Sequence, residues 1–178
     1  MINKIRNYQI IVIVVTILVG SALHFVYEWS GKSNFVGFFG AVNESTWEHL
    51  KIAFWPTFIF SVIGWFIFRK DVKNYCLAQA VAIYTIPLTI IILFYGWLLL
   101  FPDNFIYDIS IFIFAIILAQ YVAYKVMLCI IKFHSANIVS SILVVIAIII
   151  YSLFTYFPPK NIIFLDPVNG DYGIEKSE

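Results

Sequence analysis

The sequence predicts an all-α, polytopic membrane protein with five transmembrane helices, and three observations predict it. The chain is 62% hydrophobic and only 12% charged, where a soluble domain carries about 25% charged residues. Its apolar residues gather in five runs, each long enough for the roughly 20 residues that a bilayer crossing needs. The few charges sit between those runs and are sorted by sign. Together these exclude an ordinary soluble enzyme and a disordered chain. With a net charge of +1 there is no basic field for nucleic acid either.

The first helix is predicted over residues 8–29. Lys4 and Arg6 precede an apolar run at 10–19, and the small residues at 20–22 have the look of a signal-peptidase site. Apolar character continues past that point, which favours an uncleaved helix. The others are predicted over 45–68, 76–101, 105–131 and 138–157. An outer loop, 30–44, and an outer tail, 158–178, complete a single membrane domain spanning 1–178. No internal repeat is evident.

Small residues mark the faces that should pack, because helices associate in lipid where backbones approach closely. His49, Ala53, Thr57, Ser61 and Gly64 recur at helical spacing in the second helix. Gly20, Ser21 and His24 do so in the first, and Ala115, Ala119 and Ala123 in the fourth. Pro56 and Pro87 fall inside helices, where each removes a backbone hydrogen bond and bends the axis.

Charge placement gives an orientation. With the N-terminus cytoplasmic, Lys4, Arg6, Arg69, Lys70, Lys73, Lys125 and Lys132 all lie inside, as the positive-inside rule requires. Asp71 is then the lone inner acid. Glu28, Glu44, Glu48, Asp103, Asp108, Asp166, Asp171, Glu175 and Glu178 fall outside. The reading is N-in, C-out. Cys76 and Cys129 come near the inner face and should stay reduced.

The chemistry concentrates where the first helix ends and the second begins. His24 and Glu28 are four apart and share a helix face. Asn43, Glu44, Glu48 and His49 crowd the start of the second helix. Imidazole nitrogens and carboxylate oxygens suit a divalent metal such as zinc, with His24, Glu28, Glu48 and His49 as the metal set. The same groups suit a proton relay. The spacing matches no standard ligand motif. Bland readings stand beside these. Ser45 and Glu48 form a capping box, in which Ser45 caps position 48 and Glu48 reaches back to the Ser45 N–H. Lys51 pairs with Glu48 or snorkels outward. Trp29 and Trp47 serve as interfacial anchors.

The apolar segment at 35–42 is too short to span. It either dips into the bilayer boundary or packs on the bundle top. The tail contains four consecutive large apolar residues at 162–165, then the turn chemistry of Asp166 to Gly173. It is expected to fold back on the outer surface over the cluster, with Asp166 or Asp171 as an extra acceptor.

Three sequence blocks are distinctive: HFVYEWSG at 24–31, AVNESTWEHLK at 41–51 and FLDPVNGDYGI at 164–174. Together they resemble an uncharacterised family of small bacterial integral membrane proteins with no assigned activity. The resemblance implies a multi-pass protein of the bacterial cytoplasmic membrane, in contact with lipids. It draws attention to His24, Glu28, Asn43, Glu44, Glu48, His49 and Asp166 as ligand-binding candidates.

Three function classes stay open. One is a metal or small-ligand site, extending to an outer-leaflet hydrolase with Glu28 or Glu48 as base to a metal-bound water. Another is a proton or cation transporter or channel subunit. Against it, no single helix face carries polar residues through its cytoplasmic half. The last is a non-catalytic assembly protein. Protein partners are not readable from the sequence.

Overall fold

The computed structural model describes residues 1–131 and 134–174. Lys132, Glu175 and Glu178, used above in the charge sorting, lie outside the described residues. The chain forms α1 (Ile2–Trp29), α2 (Asn34–Gly37), α3 (Thr46–Phe68), α4 (Tyr75–Leu98), α5 (Phe105–Leu128) and α6 (His134–Leu153). All but the single-turn α2 are long and apolar enough to cross a membrane. The fold is an all-α, five-helix membrane-spanning bundle.

Helix limits differ from the sequence reading where a tertiary contact decides them. α1 starts at Ile2, because Ile5 is buried and the Tyr8 hydroxyl donates to the Phe60 carbonyl. α5 stops at Leu128, where Cys129 turns extended and its carbonyl accepts from Asn74 Nδ2 at 3.1 Å. α6 lies four residues nearer the N-terminus than expected at both ends. Its last turn gives way so that Thr155, wholly buried, can reach Lys51 at 2.9 Å.

α1, α3, α4 and α5 close a four-membered ring, and α6 packs on the outside of α4. The seams use the small residues: Ala53, Ala115, Ala119 and Ala123 are fully buried, with Thr57 and Ser61 close behind. A β-carbon at Gly64 would lie 2.2 Å from the Tyr75 hydroxyl. Pro56 and Pro87 are inside α3 and α4.

Inside the ring, polar side chains from four helices meet in the half nearer the N-terminus. Gln9 Nε2 of α1 contacts Met127 Sδ of α5 at 3.5 Å, and Ser61 Oγ of α3 donates to Gln79 Oε1 of α4 at 2.8 Å. Higher up, Gly20 lies against Phe112. These two contacts set α1 antiparallel on α5 and bring Thr16 and Gln120 to similar levels between them. Neither amide atom of Gln120, nor the Thr16 hydroxyl, has a hydrogen-bond partner among the described residues. The face-by-face sequence reading missed this interior because its members come from different helices.

At the other end, the loop and tail close the bundle. α1 ends at a left-handed Gly31, φ +69°, the conformation glycine favours after a helix. Ala41 N then donates to the Leu23 carbonyl at 3.1 Å. Phe38 and Phe39 pack on Trp55, with centroids 4.8 and 5.0 Å away. The loop therefore lies on the bundle top. The tail folds back as expected: the Trp47 N–H donates to the Ile163 carbonyl at 2.9 Å, and Asn43 Nδ2 to that of Gly173 at 2.9 Å. Gly173 has φ +68°, and a β-carbon there would meet the Thr155 carbonyl at 2.8 Å. Trp47 is buried and stacks on Tyr151 of α6 at 4.7 Å. That corrects its expected place as an interfacial anchor. Trp29, by contrast, is exposed.

Candidate metal centre

Three donors converge on the bundle end that carries the loop and tail. α1 supplies His24, the loop supplies Glu44, and the first turn of α3 supplies His49. His24 Nε2 is 3.2 Å from His49 Nε2 and 3.4 Å from Glu44 Oε2, and His49 Nε2 is 3.7 Å from the same oxygen. Ligands about 2.0–2.2 Å from one tetrahedral zinc stand roughly 3–4 Å from each other. The triangle fits that spacing without rearrangement.

The local chain explains the convergence. Asn43 Oδ1 accepts from the Ser45 N–H at 3.0 Å, a side-chain turn of the kind asparagine makes. It aims Glu44 back across the helix start. Ser45 caps nothing with its hydroxyl; its carbonyl instead meets His49 Nδ1 at 2.9 Å. A histidine that donates from Nδ1 presents the Nε2 lone pair, the usual arrangement of a metal-ligating imidazole. The hydrogen bond from His24 holds the Glu44 carboxyl below its ordinary range, outweighing partial burial. Glu44 is therefore an anion across the neutral pH range.

The remaining candidates go elsewhere. Glu28 faces solvent and pairs loosely with Lys32 at 3.9 Å. Glu48 is buried and forms an ion pair with Lys51. Its Oε2 also accepts from the Val42 N–H at 3.1 Å, and its Oε1 from the Thr155 hydroxyl at 3.4 Å. The expected capping box thus gives way, because a fully buried lysine needs this carboxylate more than Ser45 does. Lys51 does not snorkel. It spends its three donors on Glu48, the Gly37 carbonyl at 2.7 Å and Thr155. Asn43 holds the loop and tail. Asp166 accepts from the Val168 N–H at 2.9 Å and from Asn169 at 3.3 Å, so it organises the tail turn.

Next to the three donors opens a cleft of about 440 Å³. Ser21, Phe25, Ile90 and Phe112 contribute apolar and small walls. Asp103 and Asp108 line it as well, and the sequence reading had passed over both as outer acids. An acid in the first turn of a membrane helix was the available signal. The set of two imidazoles and one carboxylate can hold a divalent cation or share a proton. Because it offers three protein ligands, a tetrahedral ion would keep one position for water or substrate.

The family model DUF6512, described as a family of unknown function, matches residues 1–174. No curated protein and no solved structure matches the chain.

Proposed function

The chain belongs to that family of unknown function, so its activity must be read from its own side chains, and we propose a divalent-metal-binding membrane protein of hydrolase type. His24, Glu44 and His49 are the ligands, and zinc is the natural ion for two nitrogens and one oxygen. The carrying observation is the triangle of donor atoms at 3.2, 3.4 and 3.7 Å. Three protein ligands, rather than four, characterise catalytic zinc sites, where the bound water becomes the nucleophile. Glu28 and Glu48 are engaged elsewhere, so neither serves as its base.

The centre faces the extracytoplasmic side of a bacterial cytoplasmic membrane, with the N-terminus inside. The clustering of Lys4, Arg6, Arg69, Lys70, Lys73 and Lys125 at the opposite end of the helices supports this. A cysteine placed in the tail should react with an impermeant thiol reagent on intact cells. Reaction only after permeabilisation would reverse the orientation.

Metal analysis tests the main reading. Protein purified without chelator should retain about one zinc per chain. His24→Ala, Glu44→Ala and His49→Ala should each lose it, while Glu28→Ala keeps it. Zinc retained equally by all four would refute the site.

Passage of cations is a second reading, favoured by Thr16 and Gln120 below the cluster, whose side chains have no hydrogen-bond partner among the described residues. Zinc flux into liposomes loaded with an indicator would support it, and its absence would leave the hydrolase.

A further inference from the structure

We infer that the cleft beside His24, Glu44 and His49 takes an amphiphile bearing an ammonium group, entering sideways from the bilayer. The inference rests on the metal-site reading, since it makes the cleft the substrate channel of that site. Its physical basis is the shape, rim and charge of the cleft.

The lining is polar near the helix ends and apolar deeper in. Glu44, His49, Asp103 and Asp108 lie at or beside helix starts, while Ile90, Phe112 and Ile113 lie about two turns inside α4 and α5. Its volume of about 440 Å³ admits an alkyl chain.

The rim shows where the ligand enters. Phe25 on α1 and Phe105 and Ile109 on α5 line the cleft and are all exposed. Apolar rings exposed between two membrane helices face lipid. The mouth therefore opens to the bilayer at headgroup depth, the level at which amphiphiles already lie.

The charge selects the headgroup. Glu44, Asp103 and Asp108 line the cleft, and among the described residues no lysine or arginine does. One oxygen of Asp108 is shielded from solvent and has no hydrogen-bond partner among the described residues. A shielded carboxylate oxygen without a donor is costly. An ammonium brings three donors and a positive charge. A carboxylate or phosphate headgroup would meet a like charge at Asp103 and Asp108, and only a metal could hold it. Asp103 and Asp108 would hold the amine.

Two probes of equal chain length separate the possibilities. Hexadecylamine and hexadecanol are each titrated into zinc-loaded protein in non-ionic detergent and followed by native mass spectrometry. Hexadecylamine should bind at least tenfold more tightly than hexadecanol. Asp108→Asn should reduce that preference to within about threefold. Ser21→Trp, which places a ring in the cleft from an exposed position, should weaken hexadecylamine tenfold or more while zinc content stays at wild-type level. Equal binding of the two probes, or binding indifferent to Ser21→Trp in a variant that melts like wild type, overturns the inference. Zinc content read on the same samples keeps the two readings apart. Amine preference without zinc refutes the metal site alone, and zinc without amine preference refutes the substrate class alone.

Discussion

Replacing Lys51 by methionine keeps most of the side-chain volume and removes the charge that Glu48 faces. Both groups are essentially unexposed, at 0% and 1%. Glu48 would keep only the Val42 N–H and a long contact from Thr155, and the Gly37 carbonyl would lose its donor. Removing one partner of a buried ion pair costs about 3–5 kcal/mol. For a chain of this size, 1 kcal/mol moves the melting temperature by roughly 2–4 °C, so Lys51→Met should melt about 6–20 °C lower. Glu48→Gln strands the lysine and should cost a similar amount. The double variant leaves no buried charge, so its loss should fall short of the summed single losses by about 2–3 kcal/mol. Thermal unfolding in detergent, followed by tryptophan fluorescence, measures all four proteins. Additive losses would show that the two side chains do not stabilise each other, and the proposed anchoring of the loop would fail.

Zinc binding should weaken on acidification, because protons compete for the His24 and His49 imidazoles. Glu44, held below its ordinary range, stays ionised while they protonate, and zinc affinity unchanged between neutral and mildly acid pH would contradict imidazole ligation. Gly64→Leu should destabilise by about 1–3 kcal/mol through overpacking against Tyr75 and Tyr8. A lipid-facing change such as Ile10→Leu should not, and equal melting of the two would remove Gly64 from the seam. Gln120→Leu should be neutral or stabilising, since both amide atoms lack partners among the described residues. A loss above about 2 kcal/mol would mean that the amide is satisfied in the membrane.

The five spans and the small-residue seams were legible because lipid imposes them locally: length, apolarity and backbone approach are written into each helix separately. His24 and His49 were legible for a related reason, since an imidazole near the hydrocarbon is costly enough to call for a role. The choice between Glu44 and Glu48 was not. Sequence spacing favours Glu48 as cap and ligand, and only the tertiary placement of Thr155 and Gly37 around Lys51 shows why that carboxylate is already committed. Trp47 was misplaced for the same reason: the tail that buries it lies more than a hundred residues away along the chain. Asp103 and Asp108 were read only as outer acids, and the packing of α5 against α1 brings them to the cleft.

The ionisable groups at this end of the bundle divide into two kinds, and that division locates the site better than any spacing. Glu48 and Lys51 are sealed beneath the loop and the end of α6, and each ammonium donor meets an acceptor. Such a closed set fixes geometry and has nothing left to offer a ligand. His24, Glu44, His49 and Asp108 line a cleft with capacity unspent: facing Nε2 atoms and a carboxylate oxygen without a donor among the described residues. Groups of this kind cost stability near hydrocarbon unless something binds them. The two sets are also coupled. Glu48 holds the Val42 N–H, two residues before Glu44, so the closed set positions the one donor of the triangle that no helix carries. A weakened zinc site in Lys51→Met protein that remains folded would be the expected signature of that coupling.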